Sequence, residues 1–260
     1  MDYISISNLS KTFEGSDHSI PALKDINLSL PRGEFVCLLG PSGCGKSTLL
    51  NSIAGFILPS SGEIIVNGRP VREPGPDRGI VFQEYAIFPW MTVARNIAFG
   101  LEIKGASAIE IREKVDALLD TLGLREFRDR FPKDLSGGMR QRVAIARLLA
   151  IDSPIMLMDE PFGALDALTR RTLQDELLRI WRESGKTILF VTHSIEESLY
   201  LASRIVVMTY RPGTIKRNQI VTMQYPRDPT GVEFNEFKRK LGHLVMEEQE
   251  RHTRDEMKSA

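Results

Sequence analysis

One stretch of the chain reads Glu34-Phe-Val-Cys-Leu-Leu-Gly40-Pro-Ser-Gly-Cys-Gly45-Lys46-Ser47-Thr48. Residues 34–39 are nearly all apolar, which is typical of a parallel strand buried on both faces. Residues 40–47 fit the pattern G-x-x-x-x-G-K-[ST] in full, and a helical run over 48–53 follows. A buried strand that enters a glycine-rich loop and leaves it as a helix predicts a phosphate-binding loop, here called the phosphate loop (residues 40–48).

The residue types of the phosphate loop suit a chain of phosphate groups. Its glycines let consecutive backbone N–H groups turn inward as an anion-binding nest, and the positive end of the following helix adds to that nest. Lys46 can reach the β- and γ-phosphates of a nucleotide, and the Ser47 hydroxyl can ligate Mg²⁺. We expect nucleotide contacts from the whole loop, which consists of Gly40, Pro41, Ser42, Gly43, Cys44, Gly45, Lys46, Ser47 and Thr48.

Cys44 lies inside the phosphate loop, where its simplest role is that of a small filler. A helix N-terminus can also lower the pKa of a thiol. We therefore expect alkylation of Cys44 to block ATP binding, and bound ATP to protect the thiol.

The composition excludes several classes of protein. The chain has 260 residues, enough for one α/β domain with or without an inserted lobe. Its 34 basic and 34 acidic residues give no basic excess, so we expect no nucleic-acid partner. Cys37 and Cys44 fit neither a disulfide framework nor a metal-ligand spacing, which indicates reduced thiols in the cytosol.

The chain shows no sequence signal for entering a membrane by itself. Its start lacks the basic and apolar segments of a signal peptide. No run of about 18 uncharged apolar residues occurs. We expect any work at a membrane to require a partner protein.

Apolar runs and helical patterns alternate along much of the chain. Residues 155–158, 187–192 and 204–209 resemble the apolar stretch at 34–39, and helical patterns lie between them. This alternation indicates a parallel α/β sheet.

The middle of the chain is helical from about residue 106 to 150, with no evident strand. Five apolar residues share one helix face there: Ile111, Val115, Leu118, Leu119 and Leu122. We expect a main domain over residues 1–210, with a helical lobe inserted at about 84–150. Residues 211–260 are expected to form an extension with an amphipathic helix rather than a separate domain, and Thr230-Gly-Val-Glu233 matches a capping box at its start.

Two adjacent carboxylates, Asp159 and Glu160, end the apolar run at 155–158. Two charges at a strand end are costly unless something positive faces them. Beside a phosphate loop that positive group is Mg²⁺, which Asp159 would hold directly or through water. Glu160 would point to the other side of the strand end, and it is our candidate general base for a water that attacks the γ-phosphate.

A third motif narrows the class of nucleotide hydrolase. The sequence Leu135-Ser136-Gly137-Gly138-Met-Arg-Gln141-Arg142 precedes the acidic pair and leads into a helical run. It places glycines and a serine at a helix N-terminus, which makes a second anion-binding surface. It closely resembles the signature motif of ABC ATPases.

The resemblance to ABC ATPases extends over residues 3–209. Gln83 matches the family's Q-loop, residues 163–166 match the D-loop that ends in Asp166, and His193 matches the switch histidine. Phe13 stands where the family stacks an aromatic ring on adenine. The resemblance implies a P-loop NTPase fold, α/β in class, with a parallel-sheet core, an antiparallel β subdomain and an inserted α-helical lobe.

The resemblance also implies how the site works. Two copies would form a head-to-tail dimer, in which Ser136, Gly137 and Gly138 of one copy complete the ATP site of the other. Glu160, His193 and Gln83 would serve hydrolysis, with His193 on the γ-phosphate and Gln83 sensing it. Ser47, Gln83 and Asp159 would hold Mg²⁺, and Asp166 would lie at the shared site.

Three segments are similar to the nitrate, sulfonate and taurine importer subgroup: residues 72–79, 81–90 and the tail from 211 to 248. Tyr85, Phe88, Pro89 and Trp90 are expected to form an apolar notch for a membrane permease. The implied partners are permease subunits and, indirectly, a periplasmic or extracellular solute-binding protein. The implied location is peripheral, on the cytoplasmic face of the plasma membrane.

Two alternatives stay open at this point. The chain could power an exporter or a lipid-transport system. It could instead be an ABC ATPase that works without a permease, although such proteins usually carry a long coiled-coil insertion or tandem cassettes, and the sequence has neither.

Overall fold

The computed structural model of the protein describes residues 2–15, 19–163 and 165–259, with side chains as far as residue 254. It forms two compact units. Unit 1 comprises Met1–Gly75 and Trp181–Ala260, and unit 2 comprises Pro76–Ile180. Residues 211–259 therefore lie in unit 1, whereas the domain limits expected from the sequence stay predictions.

Ten strands and seven α-helices are described. The strands are β1 (Ile4–Glu14), β2 (Ser19–Leu30), β3 (Phe35–Leu39), β4 (Ser61–Val66), β5 (Arg69–Pro70), β6 (Arg78–Val81), β7 (Ile155–Asp159), β8 (Thr187–Thr192), β9 (Arg204–Met208) and β10 (Ile215–Ile220). The helices are α1 (Lys46–Ala54), α2 (Val93–Ile103), α3 (Ala108–Thr121), α4 (Gly137–Ile151), α5 (Ala167–Ser184), α6 (Ile195–Leu201) and α7 (Val232–Ser259), with 3₁₀ turns at Arg125–Phe127 and Pro132–Asp134.

Unit 1 contains an antiparallel sheet with the strand order β2-β1-β4-β5. Ile4 stands opposite Leu30 on one side and Val66 on the other. Ile4 and Ile6 are buried while Ser5 between them is half-buried, because alternate side chains of a strand point to opposite faces.

Unit 1 also contains the strands β10-β9-β3-β8 in that order, with β9, β3 and β8 parallel. All residues of β3 and β8 are buried, as their continuous apolar runs predict. The ring of Phe35 packs against Phe190 at 6.0 Å and edge-on against Trp181 at 5.7 Å. This core fixes the end of β3, from which the phosphate loop departs.

Unit 2 contains the parallel pair β6 and β7, in which Arg78 stands opposite Ile155, together with helices α2 to α4 and most of α5. Ser107 caps α3 in a reciprocal capping box with Glu110. The helix face expected from the sequence is confirmed. Val115, Leu118, Leu119 and Leu122 are buried, and Ile111 is half-buried.

Helix α7 is the last element of unit 1. Among the side chains of α7 that the structure describes, as far as residue 254, those of Phe234, Leu241 and Glu248 are buried, and they are spaced seven residues apart on one face. The predicted capping box at Thr230 is wrong, since α7 begins at Val232 and the Thr230 hydroxyl donates to Asp228 Oδ1 at 2.7 Å.

Within residues 2–15, 19–163 and 165–259, no helix combines the length and the apolar character that crossing a membrane requires.

Candidate active site

The phosphate loop connects the end of β3 to the first residue of α1, as the motif predicts. Gly45 caps α1 with φ 94°, in the left-handed region that favours glycine. A Cβ at this position would lie 2.7 Å from Leu23 Cδ2 and 2.9 Å from the Ala22 carbonyl oxygen. The glycine is therefore required both by its dihedral angle and by the close approach of β2.

Lys46 is folded back onto its own loop. Its side chain is 5% exposed, and Nζ donates to the carbonyl oxygens of Gly40 and Pro41, both at 2.8 Å. These two oxygens satisfy a buried ammonium that would otherwise be costly. A phosphate oxygen could replace them, so the loop holds its charge in place before any ligand binds.

Cys44 is fully buried beside this ammonium, with its Sγ 3.8 Å from Lys46 Nζ. Burial raises the pKa of the Cys44 thiol, and the charge and hydrogen bonds of Lys46 only partly oppose that rise. The expectation that the helix N-terminus lowers this pKa is therefore wrong, since desolvation is the larger effect.

His193 is exposed at the corner between β8 and α6 in unit 1. Side chains on either side of it fix that corner. Thr192 Oγ1 donates to Glu197 Oε2 at 2.5 Å and accepts from the Ser194 N–H at 3.0 Å, while Ser194 Oγ accepts from the Glu197 N–H at 3.2 Å. The backbone of His193 is thus held between a buried strand end and a capped helix.

Phe13 lies on β1 opposite Ile20, and 40% of it is exposed. Lys11 Nζ stands 5.2 Å from the centre of its ring. Phe13 is therefore outside the core, and part of it is exposed.

The acidic pair ends β7 in unit 2. Asp159 is the last residue of the strand and is 6% exposed. Glu160 follows with φ 46°, a left-handed conformation that is uncommon for a residue other than glycine, and its carbonyl accepts from Gly163 N at 3.2 Å. Strain of this kind clusters at functional sites.

Gln83 is exposed in the segment that follows β6 in unit 2. Tyr85 and Ala86, just beyond it, have φ of 64° and 47°. The Ala86 carbonyl accepts from Arg147 Nη1 at 2.6 Å, and the Arg147 guanidinium lies 4.4 Å from the centre of the Phe88 ring. These contacts tie the segment to helix α4.

At the expected aromatic notch, an exposed Trp90 stacks on a half-buried Phe88. Trp90 is 70% exposed and stacks on Phe88 at 5.5 Å. The backbone of Phe88 is held by Asn96, whose side chain accepts from the Phe88 N–H at 2.8 Å and donates to its carbonyl at 3.1 Å.

Sequence reasoning missed Asn96 and Arg147. Asn96 is fully buried on α2, and its side chain also donates to the carbonyl oxygens of Met91 and Thr92. Burial lowers the pKa of Arg147. For Asn96, the sequence signal that could have been used is an asparagine beside Val93 and Ile97, on the apolar face of a short helix.

The signature motif begins helix α4 in unit 2. Ser136 is the N-cap, and its Oγ accepts from the Met139 N–H at 3.3 Å. A Cβ on Gly137 would lie 3.3 Å from the Tyr85 hydroxyl, so unit 2 brings the signature close to the segment that follows Gln83. Gly138 is half-buried on the first turn.

Asp166 has a structural role in unit 2. Its Oδ1 accepts from the Thr169 N–H at 2.9 Å at the start of α5. Hydrogen bonds from the backbone and side chain of Thr169 lower the pKa of this exposed carboxyl. Within the D-loop, Ala164 lies outside the described residues.

Comparisons with known proteins identify the family of the chain. The pattern that defines the ABC transporter family matches residues 23–163. The taurine import ATP-binding protein of Roseobacter denitrificans is 52% identical, over 84% of this chain and 81% of that protein. The nitrate import ATP-binding protein of Synechocystis sp. is 48% identical, over 87% of this chain and 84% of that protein.

A solved structure is similar as well. It is a dimeric ATP-binding cassette in a post-hydrolysis state with ADP and Pi, and it matches with a TM-score of 0.78 and 34% identity, over 85% of this chain and 100% of that chain. These likenesses confirm the fold class expected from the motifs, and they show that this chain belongs to the ABC transporter family as an ATP-binding cassette with the P-loop NTPase fold.

Proposed function

We propose that this chain binds and hydrolyses ATP to power an ABC importer for a small anionic solute of the sulfonate, taurine or nitrate type. The observation that carries the ATPase part is the buried Lys46, whose ammonium rests on two loop carbonyls that a phosphate can replace. The importer part is supported by the taurine and nitrate import relatives.

The nucleotide is bound chiefly by the phosphate loop. The backbone N–H groups of residues 40–48 and the N-terminus of α1 receive the phosphate oxygens. Lys46 transfers its hydrogen bonds from Gly40 and Pro41 to the β- and γ-phosphates. Phe13 stacks on the adenine, an assignment supported by its exposed ring.

Hydrolysis is assigned to Glu160, His193 and Gln83. Glu160 accepts a proton from the water that attacks the γ-phosphate. His193 donates to the γ-phosphate, and Gln83 senses whether that phosphate is present. The restrained backbone at Glu160 and around His193 supports these roles, because catalytic groups need fixed positions.

Mg²⁺ is the metal that the family implies, and the available donors fit it. Ser47 offers a hydroxyl, Asp159 a carboxylate and Gln83 an amide oxygen, and hard oxygen ligands are those that Mg²⁺ prefers. When bound, the ion neutralises charge that develops on the phosphates. The near-complete burial of Asp159 supports its assignment, since a buried carboxylate is stabilised by a cation.

A second copy of the chain completes each site. Ser136, Gly137 and Gly138 at the N-terminus of α4 face the γ-phosphate held by the partner's loop, and Asp166 lies beside them. The exposed start of α4 supports this role, because a helix N-terminus favours an anion. The dimeric cassette with ADP and Pi is consistent with the arrangement.

The remaining partners are integral permease subunits, with a periplasmic or extracellular solute-binding protein acting through them. The exposed Trp90, which stacks on the half-buried Phe88, is assigned to permease docking, because large exposed aromatic groups mark interaction surfaces. The chain is then held peripherally at the cytoplasmic face of the membrane by its permease.

A growth experiment tests the solute class. A strain lacking this chain is grown with taurine or another alkanesulfonate as sole sulfur source and, separately, with nitrate as sole nitrogen source. We expect growth to fail on one of them and to be restored by the wild type but not by Lys46→Ala. Normal growth on all of them would overturn the solute class, whereas ATP hydrolysis by the purified protein would still support the ATPase assignment.

A further inference from the structure

Unit 1 contains a cavity of about 560 Å³ that the proposed ATPase mechanism does not use. It lies between the turn that follows β9, residue 24 of β2 and the last described side chains of α7. Four of its lining side chains are cationic: Lys24, Arg211, Arg251 and Arg254. Among the described residues, no aspartate or glutamate lines it. We call it the basic cavity.

The backbone wall of the basic cavity is held by hydrogen bonds. Gly213 bridges to β2, since its N–H donates to the Ala22 carbonyl at 2.9 Å and its carbonyl accepts from the Lys24 N–H at 3.0 Å. Thr209 and Thr214 close the turn through a hydroxyl contact of 2.9 Å. Lys24 and Arg211 are thus presented from fixed backbone.

Helix α7 supplies the opposite wall and is also anchored. The buried Glu248 accepts from the Tyr210 N–H at 2.9 Å and from Lys216 Nζ at 2.7 Å. One turn on, the His252 ring stacks on Tyr210 at 4.3 Å with an interplanar angle of 9°. These contacts fix the part of α7 from which Arg251 and Arg254 project.

Nearby carboxylates only partly balance the four cations. Glu248 is engaged by Lys216 and lies 3.4 Å from Arg251, and Glu250 lies 3.4 Å from Arg254. The arginine side chains of these two long pairs are 64% and 69% exposed, where ion pairs contribute little. Within the part of the chain that the structure describes, Lys24 and Arg211 have no carboxylate partner at all.

Arg211 also links the basic cavity to the phosphate loop. Its Nε donates to the Gly43 carbonyl oxygen at 3.1 Å, which leaves its other N–H donors available. In a planar, trans peptide unit, the carbonyl group and the N–H of the next residue point in opposite directions. The bond to the Gly43 carbonyl therefore also fixes the direction of the Cys44 N–H. Ordering of Arg211 by a ligand in the cavity would therefore steady one peptide of the loop.

We propose that the basic cavity binds a small soluble oxyanion, of the sulfate or phosphate type, as a second anion site beside the phosphate loop. Guanidinium groups match the oxygens of such ions with paired, charge-assisted hydrogen bonds. Lys24 adds a point charge from the opposite wall. The bound anion relieves the repulsion among the four cations and orders Arg211 against Gly43.

Isothermal titration calorimetry with sulfate, and then with inorganic phosphate, tests the proposal at fixed ionic strength. Wild type is compared with Arg251→Ala/Arg254→Ala and with Arg239→Ala/Lys240→Ala. The last variant removes the same charge from exposed positions of α7 that do not line the cavity. Sulfate bound by the phosphate loop itself contributes equally to all three proteins.

We expect the cavity variant to lose an enthalpic binding event, or to bind sulfate about 10-fold or more weakly, while the control variant matches wild type. Lys24→Ala, which alters the other wall, should weaken binding in the same direction even if the end of α7 is disturbed. Equal sulfate affinity in wild type and both cavity variants would overturn the proposal. Binding seen only with phosphatidylglycerol vesicles would also overturn it. The titrations with sulfate and with phosphate do not depend on ATP hydrolysis. Failure of this proposal can therefore be distinguished from failure of the ATPase assignment.

Discussion

At the residue scale, one loop places a buried cation next to a buried thiol. Lys46 Nζ donates to the carbonyl oxygens of Gly40 and Pro41, which replace the water that its burial removes. The thiolate of Cys44 would accept a hydrogen bond from Lys46 Nζ, but desolvation outweighs this contact and raises the pKa of the thiol. Burial therefore has different consequences at two nearby positions of the phosphate loop: Lys46 gains two carbonyl acceptors, whereas the pKa of the Cys44 thiol is raised.

This difference predicts slow alkylation of Cys44. The raised pKa keeps the thiol protonated near neutral pH, and only the thiolate is nucleophilic. We expect iodoacetamide to leave Cys44 and the equally buried Cys37 unmodified in the folded protein, and to label both in urea. Mass spectrometry of the tryptic peptides measures this. Rapid labelling of Cys44 alone in the folded protein would contradict the effect of burial.

At the element scale, Ser136 has two separable roles at the start of α4. Its hydroxyl caps the helix, and removal of a serine cap costs about 1 kcal/mol. Ser136→Ala should therefore lower the free energy of unfolding by about that amount and also reduce ATP hydrolysis.

Ser136→Asp separates the two roles, because aspartate also caps helices but repels phosphate. We expect it to keep wild-type stability in urea unfolding and to lose ATP hydrolysis. If Ser136→Asp hydrolysed ATP at the wild-type rate, the signature serine would have only its capping role.

Glu248 gives helix α7 a pH dependence. Burial alone would raise the pKa of this carboxyl, but hydrogen bonds from Lys216 and the Tyr210 N–H, with the charges of Lys216 and Arg251, outweigh burial and lower it from 4.5. Because the pKa is lowered in the folded state, the carboxylate stabilises the fold above pH 4.5. This contribution is lost as the pH falls through the lowered value.

Glu248→Gln should therefore cost about 2 kcal/mol near neutral pH, and the difference from wild type should shrink below pH 4.5. Urea unfolding at a series of pH values measures it. Glu247→Gln is the matched control, since Glu247 also bonds Lys216 but is 63% exposed and should cost much less. Equal stability of the two variants at every pH would contradict the role given to Glu248.

At the scale of the whole molecule, the proposed site needs two copies of the chain. Glu160→Gln should bind MgATP but hydrolyse it about 10²–10⁴-fold more slowly, because it lacks the general base. It should therefore accumulate as an ATP-bound dimer, which gel filtration with and without ATP detects. Adding Lys46→Ala should abolish the dimer. A Glu160→Gln protein that stays monomeric with saturating ATP would count against the shared site.

Sequence alone determined the features whose causes are local. The phosphate loop follows from a buried apolar strand, glycines with the required dihedral freedom and a helix start, all within residues 34–54. The buried face of α3 and the start of α4 at Ser136 also have local causes. The first follows from the helical spacing of apolar side chains and the second from helix capping, and both act over a few residues.

Only the tertiary structure decided what depends on distant neighbours. Strand β10 reads Ile-Lys-Arg-Asn-Gln-Ile and lacks an apolar run, so its pairing with β9 through backbone hydrogen bonds left no clear sequence pattern. The raised pKa of Cys44 depends on what buries it rather than on its place in a motif. The bond from Arg211 to Gly43 joins residues 168 positions apart, a separation at which sequence pattern carries no information about contact.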